Sequence, residues 1–142
     1  MPQNPRPGYR TVTPQSIVPD PGQVIAFLET VFGATLDDQF IVDDEVIHAE
    51  MILGDSRIMI GASSDEYPPL PLSSHVYVAD VDAVFKSAIR HGATAIREPA
   101  DQFYGDRAGV VQDGQGNQWS IATAVEDVSR EEMHRRMAEM SG

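Results

Sequence analysis

The chain repeats itself, and the repeat limits what it can fold into. Val18-Pro19-Asp20 recurs as Val78-Ala79-Asp80, 60 residues later. Gly33-Ala34-Thr35 recurs as Gly92-Ala93-Thr94, 59 later. The turn at Gly54 before Arg57-Ile58-Met59-Ile60 recurs at Gly116 before Gln118-Trp119-Ser120-Ile121, 62 later. Three landmarks at nearly one spacing imply two homologous supersecondary units. Each unit reads strand, helix, strand, strand, strand. One such unit leaves a sheet face uncovered, so the pair is expected to pack around a shared core. A length of 142 residues suits one domain.

Local signals fill in the units. Pro2, Pro5 and Pro7 mark an N-terminal arm. Tyr9 to Val18 reads as a strand, with Pro14 at an edge, a strand start or a bulge because it lacks an N–H. Asp20 suits an N-cap, Pro21 the first helical position, and Gln23 completes a capping box. Val24, Ile25, Phe27, Leu28, Val31 and Phe32 make the apolar stripe, and Gly33 ends the helix. Strands are expected at 36–42, 46–53 and 57–62, the last two joined by a turn at Gly54-Asp55. The pattern restarts with a strand at 74–78, then a helix capped by Asp80 with Val81, Val84, Phe85, Ala88 and Ile89 inward. Further strands are expected at 94–97, 109–112 and 118–123. Ser129 and Glu132 form a capping box that opens a last helix. The expected organisation is one α+β domain over 1–142: a first βαβββ module over 9–66, a proline-rich linker over 67–72, a second module over 73–128 and a C-terminal helix over 129–142.

Charge narrows the partners. The net charge is −12. Residues 9–66 carry Arg10 and Arg57 against eleven acids, a net of −9, while 73–128 carry four bases against eight acids, a net of −4. Such a field repels phosphate backbones, so nucleic acid is excluded as an expected partner. It favours a cationic ligand, and it also serves solubility. No apolar run reaches the roughly 18 residues of a membrane span, and the N-terminus has no secretory apolar region. There is no Cys, hence no disulfide, thiolate ligand or cysteine nucleophile. A cytoplasmic protein is the expectation.

The stretches Val18-Pro19-Asp20, Phe27 through Ala34, His75 through Asp82, and Asp101-Gln102-Phe103-Tyr104-Gly105-Asp106-Arg107 resemble the vicinal oxygen chelate (glyoxalase/bleomycin resistance/dioxygenase) superfamily. The last two, with Gly116-Asn117-Gln118-Trp119-Ser120, resemble its PhnB-like subgroup. The resemblance spans roughly residues 9–128. It implies a curved eight-stranded mixed sheet around a cleft, with the helices on the outer face, and a homodimer. In the metalloenzymes the first and last strands of each module supply His, Gln or Glu to a divalent ion. Carried over by the repeat landmarks, those positions fall near Thr13, Met59, Ser73 and Ser120, and a slip of two residues admits Gln15 and His75. This set holds no carboxylate, so no cofactor is expected and a metal is not expected at the usual place.

Strand parity defines the cleft. If those positions face it, their neighbours Val12, Ile58, Ile60, Val76, Val78, Trp119 and Ile121 face the helices, and all are apolar. The candidate ligand-binding residues are then Thr13, Gln15, Arg57, Met59, Ser73, His75, Tyr77, Gln118 and Ser120, with Tyr104 and Arg107 at the mouth and Asp101 or Asp106 orienting Arg107. The expected function is metal-independent binding or sequestration of a small molecule. Two alternatives stand beside it. One is a metal-dependent lyase, isomerase or dioxygenase using a displaced set of His48, Glu50 and His75. The other is an interaction module that dimerises through Met133, Met137 and Met140 of the last helix.

Overall fold

The computed structural model describes residues 1–141. The first module runs β1 (Gln15–Val18), α1 (Pro21–Phe32), β2 (Thr35–Val42), β3 (Glu45–Leu53), β4 (Ser56–Ala62). The second runs β5 (Ser73–Tyr77), α2 (Val81–Arg90), β6 (Thr94–Asp101), β7 (Asp106–Gln112), β8 (Gln118–Ala124), and α3 (Arg130–Ser141) follows. The strand orders are β1-β4-β3-β2 and β5-β8-β7-β6. In each sheet the first pair is parallel and the other two antiparallel. The two-module α+β architecture is present, with the eight strands hydrogen-bonded as two four-stranded sheets.

Local chemistry accounts for most boundaries. Pro21 opens α1, and Gly33 closes it in the left-handed region at φ 69, where a side chain would be strained. Asp80 caps α2 by accepting from the Ala83 N–H at 3.2 Å. Asp20 does not cap α1 in this way. Its side chain makes no cap bond, and its own N–H donates to Gln115 Oε1 of the other module at 2.8 Å. The Asp101–Arg107 cluster forms the turn of the β6–β7 hairpin with strand on both sides. The expected strand from Tyr9 begins only at Gln15. Val12, expected under the helices, is 77% exposed.

The modules share one core. Leu28, Ala49, Met51, Ile60, Trp119 and Ile121 are buried in a single cluster with residues of both helices. The Phe32 ring of α1 lies 5.8 Å from Trp119 of β8. A polar joint fastens the modules beside it. Asp113 accepts from the Gln115 and Asn117 N–H groups, from Asn117 Nδ2 and from Trp119 Nε1, at 2.9–3.0 Å. Asn117 Oδ1 in turn accepts from Ser16 Oγ of β1 and from the Leu72 N–H just before β5. Every buried polar side-chain atom among the described residues has a partner.

Candidate functional site

Register shows which expected positions lie opposite one another. Gln15 of β1 lies opposite Met59 of β4, and His75 of β5 lies opposite Ser120 of β8. Taken with Met59 and Ser120, the paired set is Gln15, Met59, His75 and Ser120, two residues on from Thr13 and Ser73. The expected alternation is observed along these strands. Gln15, Ser73, His75, Tyr77 and Gln118 are exposed and Met59 and Ser120 half-buried, while Ser16, Ile58, Ile60, Val76, Trp119 and Ile121 between them are buried.

On the second sheet these residues make a connected group. His75 Nδ1 is 2.9 Å from Ser120 Oγ, and His75 Nε2 is 3.4 Å from Asp106 Oδ2. The Tyr77 hydroxyl donates to the same Asp106 oxygen at 2.8 Å, and its ring stands edge-on to His75 at 5.0 Å. Asp106 is 5% exposed. The His75 ring is thus held at both nitrogens, by a hydroxyl on one side and a carboxylate on the other. The bond to Asp106 raises the Tyr77 pKa. The family-implied metal is tested by this donor chemistry, and the residues do not fit it. An amide, a thioether, a hydroxyl and an imidazole whose two nitrogens already have partners make no ligand set for a divalent ion.

The first sheet carries a second group around Glu50, which is 7% exposed. Glu50 accepts from the Tyr9 hydroxyl, lies 2.8 Å from His48 Nε2, and accepts from Arg57 Nη1 at 3.3 Å. Arg57 also donates to Asp37 at 2.9 Å and to the Gly8 carbonyl at 3.2 Å, and stacks 4.4 Å from the Tyr9 ring centre. Burial pushes the Glu50 pKa up, but the donors of Tyr9, His48 and Arg57 outweigh it and hold the group below its ordinary value. His48 and Glu50 sit in one sheet and His75 in the other, each with its own partners. Among the described residues no three His, Asp or Glu side chains converge as a metal site, so the displaced set of His48, Glu50 and His75 is not assembled.

Arg107 is the other displacement. It faces the helix side of β7, donating to both oxygens of Asp82 in α2 at 2.9 and 3.1 Å and to Asp101 at 3.3 Å. It therefore lies on the opposite face from His75, and Asp106, one residue earlier, takes the inward place that parity assigns to it. Tyr104 sits in the β6–β7 turn, edge-on to Phe103 at 5.2 Å.

A cavity of about 950 Å³ opens between the modules. Its walls are the arm from Gly8 to Pro14, the β3–β4 hairpin with Arg57, the end of α1 with Phe32, and the outer side of β5 with His75 and Tyr77. Thr13, Arg57, His75 and Tyr77 of the expected residues reach this cavity. Gln15, Met59, Ser73, Gln118 and Ser120 do not line it, and neither do Tyr104 and Arg107, expected at its mouth. Sequence reasoning missed Tyr9, and it assigned Asp106 to Arg107 rather than to His75 and Tyr77. Asp106 was readable from the alternation of β7, whereas nothing local to Tyr9 indicates that the arm folds back onto Glu50.

Comparison with known proteins matches residues 12–121 to the model described as the Glyoxalase/Bleomycin resistance protein/Dioxygenase superfamily. An uncharacterised protein of Mycobacterium bovis is 30% identical, covering 89% of this chain and 91% of that one. Among solved structures, TioX from Micromonospora sp. ML1 is similar at TM-score 0.69 and 22% identity, over 80% of this chain and 98% of that one. A PhnB protein from Bacillus cereus is similar at TM-score 0.65 and 18% identity, over 81% and 100% of the two chains. At these identities the two structural likenesses concern the fold alone.

Proposed function

The chain belongs to the glyoxalase/bleomycin resistance protein/dioxygenase superfamily, and from that premise we propose that it binds a small organic molecule without a metal. The observation that carries this reading is the register-matched set Gln15, Met59, His75 and Ser120, which has no carboxylate and whose imidazole is held by Ser120 and Asp106. A volume of about 950 Å³ lies at the upper end of small-molecule pockets. Phe32, Ile58, Val76 and Val84 offer it apolar surface, and Tyr77, His75, Thr13 and Arg57 offer polar groups that fix orientation. The net charge of −12 supports a cationic ligand. Subgroup membership among PhnB-like proteins is part of the same proposal, supported by the Asp101–Arg107 stretch.

The test is binding with and without metal. Thermal-shift screening of small molecules in EDTA should find a stabilising ligand. Tyr77→Ala and His75→Ala should each weaken that ligand by about tenfold, the loss of one good hydrogen bond with its contacts. Protein purified without chelator that carries one equivalent of Zn, Ni, Mn or Fe, lost in His75→Ala, would overturn the reading.

We also propose a homodimer through α3. None of its residues is buried, and Met137 and Met140 are 51% and 70% exposed. A helix of 12 residues is marginal alone in water, and a second α3 laid against the Met133, Met137 and Met140 side would bury its apolar surface. Sedimentation should show a dimer that becomes a monomer on truncation after Asp127. A full-length monomer at high micromolar concentration would dismiss it.

A further inference from the structure

The internal repeat relates the two edge strands, and it exposes a difference between them. Ile17 on the outer edge of β1 exchanges both backbone bonds with Leu70 of the linker, at 3.1 and 2.8 Å. Sixty residues on, Tyr77 holds the same place on β5. Val78 N–H donates to Ala122 O of β8, so the Tyr77 N–H and C=O point the other way, to the free edge. Among the described residues nothing bonds them. Leu70 likewise has its counterpart 60 residues earlier, in Arg10. Arg10 and Tyr77 both line the same cavity.

We propose that the free edge of β5 is a strand-accepting site, and that its occupant is the chain's own N-terminal arm, with Arg10 paired antiparallel to Tyr77. The reach is the same as in the pairing already made. Met59 N–H donates to Pro14 O and anchors the arm as the β5–β8 ladder anchors Ser74. Arg10 precedes Pro14 by four residues, as Leu70 precedes Ser74. In the described position the arm is held away by Tyr9 on Glu50 and by Arg57 on the Gly8 carbonyl. Pro69 and Pro71 flank Leu70 and keep the linker extended, whereas Tyr9 and Thr11 flank Arg10. The linker thus loses less chain entropy on pairing than the arm does, which accounts for one edge being covered and its twin open. Pairing of the arm would close the cavity along β5.

The chain has no cysteine, so paired cysteines report without background. Arg10→Cys with Tyr77→Cys should oxidise to an intramolecular disulfide at least tenfold faster than Arg10→Cys with Ile96→Cys, whose second site is exposed on β6. Adding Glu50→Gln, which loosens Tyr9, should speed the first pair several-fold. A second measurement avoids cysteines. Arg10→Pro removes the N–H that Tyr77 O would accept, so hydrogen exchange at the Tyr77 amide should quicken several-fold while Val78 is unchanged. Disulfide formation no faster than the control, crosslinks formed mainly between chains, or unchanged Tyr77 exchange in Arg10→Pro would each overturn the assignment.

Discussion

Among the three buried carboxylates, Asp113 and Glu50 do different work at the scale of single residues. Asp113 gathers four N–H donors at the joint between the modules. Asp113→Ala strands those donors, including the indole of the fully buried Trp119. It should therefore lower unfolding free energy by about 3–5 kcal/mol, measurable by urea titration. Glu50 is tied to solution pH instead. Its folded pKa lies below the ordinary value of 4.5, so its stabilising share is full above that value and fades as pH falls through the folded pKa. The gap in Tm between wild type and Glu50→Gln should accordingly be widest above about pH 5.5 and narrow toward pH 3. A gap that does not change with pH would mean that Glu50 is not ionised in the folded protein.

At the scale of elements, legibility followed locality. Both module helices were readable because capping, periodicity and a terminal glycine lie within a dozen residues. Strand faces were readable because parity is local too, and parity alone puts Gln15, Met59, His75 and Ser120 on one side. What failed depended on partners far along the chain. Tyr9–Pro14 has strand composition but pairs only at Pro14, so propensity alone lengthened β1. Arg107 does pair with Asp101 as expected, but its bidentate partner Asp82 lies 25 residues away on α2. Asp20 holds the N-cap position as expected, but its side chain makes no cap bond and Gln115 of the other module takes its N–H. The last element permits a prediction of its own. The ties of α3 to the body run from Arg136 to Glu126 and to the Phe103 carbonyl, and these are exposed or half-buried contacts. Arg136→Ala should change stability by less than about 1 kcal/mol in chemical denaturation, as exposed ion pairs do.

For the whole molecule, the shared core outweighs the duplication. Residues of both modules belong to one buried cluster, and Asn117 clasps Ser16 and Leu72 across the boundary. The two halves should therefore melt together. Calorimetry should give a single transition with an enthalpy of about 100 kcal/mol near 60 °C, equal to the van't Hoff value. Two resolved transitions would show that the modules are independent. The acidic field acts on the same scale. Association of a cationic ligand should slow as salt rises from 20 to 200 mM, on the order of tenfold, while its dissociation changes little. No described helix is long and apolar enough to cross a membrane.

A molecule with true twofold internal symmetry would present two equivalent openings. Here Leu70 covers one strand edge, while the matching edge at Tyr77 is bare with the arm in its described position. The broken symmetry therefore fixes stoichiometry. Each chain should take up one ligand rather than two, and titration should saturate at one equivalent per chain in the monomer and in any oligomer that leaves the β5 side uncovered.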